Sequence, residues 1–192
     1  MKKKGLLLVI SGPAGAGKGT VVGELVKDEN VRLSISATTR APRGQEQNGK
    51  EYYFLTKEEF EKSISEDGFF EYARYLDNYY GSPKKPVEQW RQEGRDVILE
   101  IDVQGCKKIR EQVSDCVSIF IMPPSLEVLE KRLRGRGTET EENIIKRMKR
   151  AEEELTLASG YDYVVINDSL EDCVDDVRAV IRAEKLRSER QY

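Results

Sequence analysis

The sequence predicts an α/β fold on a mostly parallel sheet, and three observations predict it. Leu6 to Ile10 is a wholly apolar run bounded by glycines, which reads as a strand buried on both faces, the kind found where helices cover both sides of a parallel sheet. Later runs at Asp96 to Asp102, Val117 to Ile121 and Tyr163 to Ile166 repeat that character with amphipathic helical spacings between them. Such alternation belongs to strand, helix, strand units. The third observation is the junction behind the first strand, where a glycine-rich stretch leads into Val21-Val22 and Leu25-Val26, spaced for one face of a helix.

That junction reads Gly12-Pro13-Ala14-Gly15-Ala16-Gly17-Lys18-Gly19-Thr20 behind Ser11. Glycines let the backbone curl until consecutive N–H groups point inward, the helix N-terminus adds partial positive charge, and the lysine reaches the outer phosphates. A Gly-four-Gly-Lys spacing between strand and helix therefore predicts a phosphate-binding loop. Gly19 departs from the usual pattern, in which Ser or Thr follows the lysine and offers its hydroxyl to Mg²⁺. Either Thr20 takes that role from one position on, or the metal is left to water and phosphate.

A chain of 192 residues suits one compact domain with room for inserted subdomains. Its net charge of -3, with 35% charged residues, argues against a nucleic-acid binder that works by bulk positive charge. There is no histidine, which excludes a histidine general base, histidine-ligated zinc and Ser-His-Asp triads. Chemistry is left to Lys, Arg, carboxylates and backbone. Cys106, Cys116 and Cys173 fit no Cys-x-x-Cys spacing and read as free thiols in a reducing compartment. Lys2-Lys3-Lys4 ahead of Leu6 imitates the start of a signal peptide, but the apolar run ends in a Gly-Pro turn. No stretch has the length to cross a membrane, so the expectation is a cytoplasmic protein without membrane or nucleic-acid partners.

In order along the chain, Val31 to Ser36 predicts a second strand and opens a segment of different character. Arg40 and Arg43 stand three apart beside hydroxyls and glycines, followed by Tyr52, Tyr53 and Phe54. A guanidinium fork matches two phosphate oxygens and a phenol donates a third bond, so the segment suits an anion site; the alternative is a solvated hairpin. Thr56 opens a helix with Glu58 or Glu59 in its first turn, running through Phe60 and Ile64. Gly68 to Ala73 alternates as a strand does, and Asp77 to Ser82 closes it with a turn. Glu71, among aromatics, is either an exposed strand carboxylate or a buried acceptor for a ligand's donors.

Pro83 to Gly94 predicts a helix, and Asp96 to Asp102 a buried strand ending in a carboxylate. Ligands of an open parallel sheet lie beyond the carboxyl ends of its strands, which puts Asp102 near the Gly12 to Thr20 loop. Equally, Asp102 suits the N-cap of a helix from Val103 to Val113. After Val117 to Ile121, Pro123-Pro124-Ser125 breaks the chain before a cationic helix with Lys131, Arg132 and Arg134. Gly135-Arg136-Gly137 links it to a second helix carrying Lys146, Arg147, Lys149 and Arg150. Arginines on a mobile link are what a closing lid needs to stabilise charge on a transferring phosphoryl group; the alternative is a solvated helix face. Tyr163 to Ile166 is the last strand, Asn167-Asp168 a turn, and Leu170 to Leu186 a closing helix.

Gly12 to Thr20, Ser36-Ala37-Thr38-Thr39-Arg40-Ala41-Pro42-Arg43, Gly49-Lys50-Glu51-Tyr52, Asn78-Tyr79-Tyr80-Gly81-Ser82, Ile101-Asp102-Val103-Gln104-Gly105 and Arg134-Gly135-Arg136-Gly137-Thr138 together resemble guanylate kinases, in the right order along essentially the whole chain. The resemblance implies a P-loop NTPase-type three-layer sandwich with core residues 1–30, 87–124 and 161–192, an inserted GMP-binding subdomain at 31–86 and a helical lid at 125–160. It implies that Gly12, Pro13, Ala14, Gly15, Ala16, Gly17, Lys18, Gly19, Thr20 and Asn167 bind ATP, with Asn167 near the adenine. Lys18, Arg132, Arg136 and Arg147 are then catalytic around the ATP phosphates, with Mg²⁺ accompanying ATP. Arg40, Arg43, Tyr52 and Tyr80 would hold the phosphate of GMP, while Ser36, Glu71, Ser82 and Asp102 would read guanine. The chemistry of the base agrees: guanine's N1–H and 2-amino groups are donors for carboxylates, whereas adenine has no donor at N1 and leaves Glu71 unpaired. The implied reaction is ATP + GMP giving ADP + GDP, with dGMP also accepted. Two other readings are an inactive domain of the same fold that binds phosphopeptides, and a nucleoside monophosphate kinase of different base specificity. Lys18 and its intact loop argue against the first, Glu71 and Ser36 to Arg43 against the second.

Overall fold

Apolar side chains on both faces make β1 (Leu7–Ser11) the centre of the molecule, and every one of its residues is buried. The computed structural model of the protein describes residues 3–135 and 140–191. After β1 come α1 (Lys18–Leu25), β2 (Val31–Leu33), β3 (Ala37–Thr38), β4 (Tyr53–Phe54), α2 (Lys57–Ser65), β5 (Phe69–Tyr75) and β6 (Asn78–Pro83). The chain continues through α3 (Lys84–Gln92), β7 (Asp96–Glu100), α4 (Val103–Gln112), β8 (Cys116–Met122), α5 (Leu126–Arg134), α6 (Glu141–Leu155), β9 (Tyr163–Ile166) and α7 (Leu170–Leu186).

Among the described residues β2, β7, β1, β8 and β9 form a five-stranded sheet in that order, every neighbouring pair parallel. The period-2 alternation of each strand divides the core between the two faces. Leu8 and Ile10 pack with Val21, Leu25, Val174 and Val177 of α1 and α7. Leu7 and Val9 pack with Val87 of α3 and with Cys106 and Ile109 of α4. The result is three layers, helices on sheet on helices, with each fully buried aliphatic side chain contributing about 1.5–3 kcal/mol.

A second sheet, β4-β3-β6-β5, is mixed: β3 and β4 run parallel, the other pairs antiparallel. Its own core is a stack of Phe60 on Phe69 (4.3 Å between centroids) and on Tyr79 (5.2 Å). Thr56 caps α2 reciprocally with Glu59, as the sequence predicts. Phe70 carries β5 back into the main core, and Lys108 of α4 donates to the Tyr72 carbonyl at 2.9 Å. These contacts set the second sheet beside the amino end of α4.

Three boundaries differ from the sequence expectation. The strand expected over Val31 to Ser36 stops at Leu33: the Ser34 N–H makes the last bond to β7, and from Ala37 the chain belongs to the second sheet. Residues 31–33 of the segment 31–86 thus lie in the parallel sheet. The turn expected over Asp77 to Ser82 is instead strand β6, paired from Asn78 opposite Tyr75. Its two-residue loop puts Leu76 at φ +53, where a glycine would have signalled a hairpin. Finally, the strand expected to reach Asp102 ends at Glu100, and Asp102 is the N-cap of α4.

Candidate active site

The loop between β1 and α1 is shaped by glycines that nothing else can replace. Gly12 has φ +139, and a Cβ there would lie 2.2 Å from the Ile121 carbonyl oxygen of β8. Gly12→Ala is therefore expected to lower unfolding free energy by about 2–4 kcal/mol, from backbone strain and forced displacement of β8, read from the denaturation midpoint. Gly17, at φ +91, is the N-cap of α1 and brings no side-chain cap. The first-turn N–H groups of α1 are left uncovered by a side chain, the condition for binding an anion.

Asn167 explains why Gly17 has no side chain. Its Nδ2 donates to the Ala16 carbonyl at 2.8 Å, and a Cβ on Gly17 would lie 2.3 Å from that nitrogen. The Asn167 carbonyl in turn accepts from Arg132 Nη2 at 2.9 Å, while Arg132 Nη1 is buried with no hydrogen bond. Asn167, just after β9, and Arg132 of α5, both distant in sequence from the loop, thus join its rim. Lys18 Nζ donates to the carbonyls of Gly12 (2.6 Å) and Pro13 (3.0 Å), holding its charge inside the loop.

Sequence reasoning missed Glu100. It ends β7, the strand beside β1, and its Oε1 lies 3.6 Å from where a Cβ on Gly19 would stand. A Cβ on the glycine that departs from the usual pattern would stand in ordinary van der Waals contact with this carboxylate. With Ala14, Gly15, Gly17, Lys18, Gly19 and Thr20 it lines a cavity of about 390 Å³. Burial raises its pKa, and the Lys18 charge opposes that rise. A carboxylate at the carboxyl end of a strand next to the loop strand was the available signal.

An adjoining cavity of about 360 Å³ is lined by Gly12, Lys18, Glu100, Asp102, Arg147 and Arg150, among others. Both arginines come from α6, which packs on α5 through Leu129, Leu133, Met148 and Ala151. Arg136, expected beside them, lies outside the described residues.

On the second sheet, Arg40, Tyr52 and Tyr80 come together. The Arg40 guanidinium sits 5.4 Å from the Tyr52 ring centroid, and Tyr52 meets Tyr80 edge-on at 6.2 Å. Glu46, not singled out in the sequence, takes Arg40 in a two-pronged bond of 2.9 and 3.0 Å and also accepts from the Arg43 N–H at 2.7 Å. Hydrogen bonding to Arg40, with the Arg43 N–H second, lowers the Glu46 pKa, and the same pairing raises that of Arg40. A carboxylate held this way occupies the fork that a phosphate would use.

The remaining acceptors converge at the amino end of α4. A Cβ on Gly105 would lie 3.5 Å from both Asp102 Oδ1 and Glu71 Cδ, so the two carboxyl groups flank one glycine. Ser82 donates to Glu71 Oε1 at 2.9 Å. Glu71 is half-buried, and desolvation raises its pKa, the nearby Asp102 charge adding to the rise while Ser82 and Lys108 oppose it. Asp102 is the helix cap the sequence offered, Oδ1 accepting the Gly105 N–H at 2.9 Å, while Oδ2 accepts from Arg150 Nη2 at 3.5 Å and the residue lines the cavity beside the loop. Ser36 lies just before β3, where its carbonyl accepts from the Tyr53 N–H.

Comparison with known proteins gives the same family from sequence and from structure. The family model described as Guanylate kinase matches residues 4–184. A guanylate kinase of Caldanaerobacter subterraneus subsp. tengcongensis is 54% identical over 99% of this chain and 93% of its own length. One from Clostridium acetobutylicum is 53% identical over 99% and 91%. Among solved structures, a guanylate kinase from Anaplasma phagocytophilum aligns with a TM-score of 0.75 and 38% identity, covering 98% of this chain and 90% of that one.

Proposed function

Since this chain belongs to the guanylate kinase family, we propose that it transfers the γ-phosphoryl group of Mg·ATP to GMP, and to dGMP, giving ADP and GDP. The observation that carries the reading is the convergence of two carboxylates on Gly105, Glu71 with Ser82 bonded to it and Asp102, which also lines the cavity that holds Lys18 and Arg147. Acceptors of this kind suit guanine's N1–H and 2-amino donors; adenine would leave them desolvated and unpaired, worth on the order of 10⁴-fold in discrimination.

In the proposed reaction a phosphate oxygen of GMP attacks the γ-phosphorus in line, a new P–O bond forms, and the bond to the β-phosphate oxygen breaks as ADP departs. A loose transition state asks little covalent work of the protein, so catalysis rests on positioning and on charge. Lys18 gives up its two loop carbonyls for phosphate oxygens. Arg147, with Arg132 and Arg136 in the same role, neutralises the transferring group from a lid that spans residues 125–160. Asn167 ties the loop at Ala16 to the end of β9 and edges the adenine site. Arg40, with Arg43, Tyr52 and Tyr80, exchanges the Glu46 carboxylate for the phosphate of GMP. Ser36 completes the guanine pocket.

The donor set around the loop fits a hard divalent cation: the Glu100 carboxylate and the Thr20 hydroxyl line one cavity with the phosphate-binding glycines. Those two residues would hold Mg²⁺, directly or through water, and bound Mg²⁺ supplies neutralisation of the phosphate oxygens. No helix among the described residues is long and apolar enough to cross a membrane, and the three free thiols suit a reducing compartment, the cytoplasm.

ADP formation from Mg·ATP with GMP, AMP, UMP and CMP offered separately tests the proposal. Turnover with GMP alone is expected. Turnover with another monophosphate instead would overturn the base reading, and silence with all four in folded protein would overturn the kinase. Arg40→Ala is expected to cut kcat/KM for GMP by about 10²-fold, the cost of losing one partner of a bound phosphate, with the KM for ATP within about threefold of wild type.

A further inference from the structure

Arg150 belongs to none of the roles above, yet it joins α6 to Asp102, one of the two base-reading carboxylates. Its Nε donates to Glu154 Oε1, one turn further along the helix, at 2.7 Å. Glu154 is buried, so the guanidinium is pinned at one edge and its fork projects from the helix. The Nη2 group then reaches Asp102 Oδ2 at 3.5 Å. Asp102 has its other oxygen committed to capping α4, which leaves Oδ2 as the acceptor with capacity to spare. Arg150 and a guanine donor therefore seek the same oxygen. The sequence explains nothing of this: Arg150 reads as one charge in a run of helix cations, and its target lies 48 residues away.

We propose that Arg150 is a positioning residue that ties α6 to Asp102 and that guanine must displace, so that base recognition and the placement of α6 are coupled through one carboxylate oxygen. The inference rests on the reading of Asp102 as a guanine acceptor. Donors on the base replace the guanidinium donor, and release of Arg150 removes one tie between α4 and α6, the helix that carries Arg147 one turn away. A base with no donor there cannot make the exchange. The pair is largely solvent-exposed, with side chains 62% and 56% accessible, and exposed pairs are weak. Its removal is correspondingly a modest, measurable gain for GMP.

The test is a double-mutant cycle on the full chain, with GMP binding measured by calorimetry without ATP for wild type, R150M, D102N and the double variant. Asn at 102 still caps α4, so the D102N background isolates the charge. R150M is expected to bind GMP about two- to fivefold more tightly than wild type, and the same substitution is expected to change nothing in the D102N background. Unchanged or weaker binding by R150M overturns the proposal, as does a gain that persists undiminished when Asp102 is gone. Wild-type protein that binds no GMP would instead refute the function on which the inference rests; GMP binding with a flat cycle refutes Arg150 alone.

Discussion

Lys18→Met is expected to lower kcat by about 10³-fold or more while the protein stays folded. The magnitude follows from what is removed: a full positive charge held at the mouth of a loop, in a reaction where one well-placed cation at the transferring phosphoryl is worth about 10³–10⁵ in rate. In the structure Lys18 Nζ donates to the loop carbonyls of Gly12 and Pro13. Water can take over at both, because the site opens into a cavity. The loop itself is held by other means: Asn167 on Ala16, Gly12 against β8 and the apolar packing of Val21, Val22 and Leu25. Steady-state kinetics and a thermal melt on the same preparation check it. A melting temperature within a few degrees of wild type and a kcat within tenfold of it would sink the assignment of Lys18 to the chemistry.

What could be read from the sequence, and what could not, divides along the range of the interactions. The strand, loop and helix at residues 6–26 are legible because period, glycine spacing and lysine position are all local, and the structure repeats them within a residue or two. Arg40 and Tyr52 are legible as a candidate anion site because guanidinium and phenol groups suit one by type, whereas Tyr80 enters only through the family resemblance and is brought to them by folding. Glu46 and Glu100 carry no such announcement. A single carboxylate has no periodicity, and each acquires meaning only from a partner brought by folding, Arg40 for one and Lys18 with Gly19 for the other. Strand β6 was read as a turn because Asn78 and Gly81 are turn formers by type. The actual reversal falls on Leu76 and Asp77, where a leucine takes the positive φ. Asp102 suits cap or ligand acceptor in the sequence, and the structure separates its two oxygens, one on the Gly105 N–H and one on Arg150.

Glu71→Gln is expected to raise the KM for GMP by about 10²-fold with kcat changed less than about fivefold. An amide turned toward guanine's N1–H and 2-amino groups sets donor against donor where a carboxylate accepted both, and an unmatched buried polar contact of this kind costs the full desolvation of the groups involved. Desolvation first, and the neighbouring Asp102 charge after it, raise the Glu71 pKa above the usual carboxylate value. Only the ionised form can accept from both guanine donors at once, since protonation turns one oxygen into a donor. As pH falls, kcat/KM for GMP therefore declines at a higher pH than an ordinary glutamate would dictate, and this acid limb is absent from the Gln variant. Protonation of the GMP phosphate, with a pKa near 6, is common to both enzymes and cancels in their ratio. For stability the sign is opposite to that of a salt-bridged carboxylate: a raised folded-state pKa means that the ionised group costs stability at neutral pH, and the cost disappears as pH falls through the folded pKa. The Gln variant should accordingly be no less stable than wild type at neutral pH, which separates lost recognition from lost fold. A pH profile of kcat/KM for both proteins decides the matter: parallel acid limbs in the two would remove Glu71 from the guanine site.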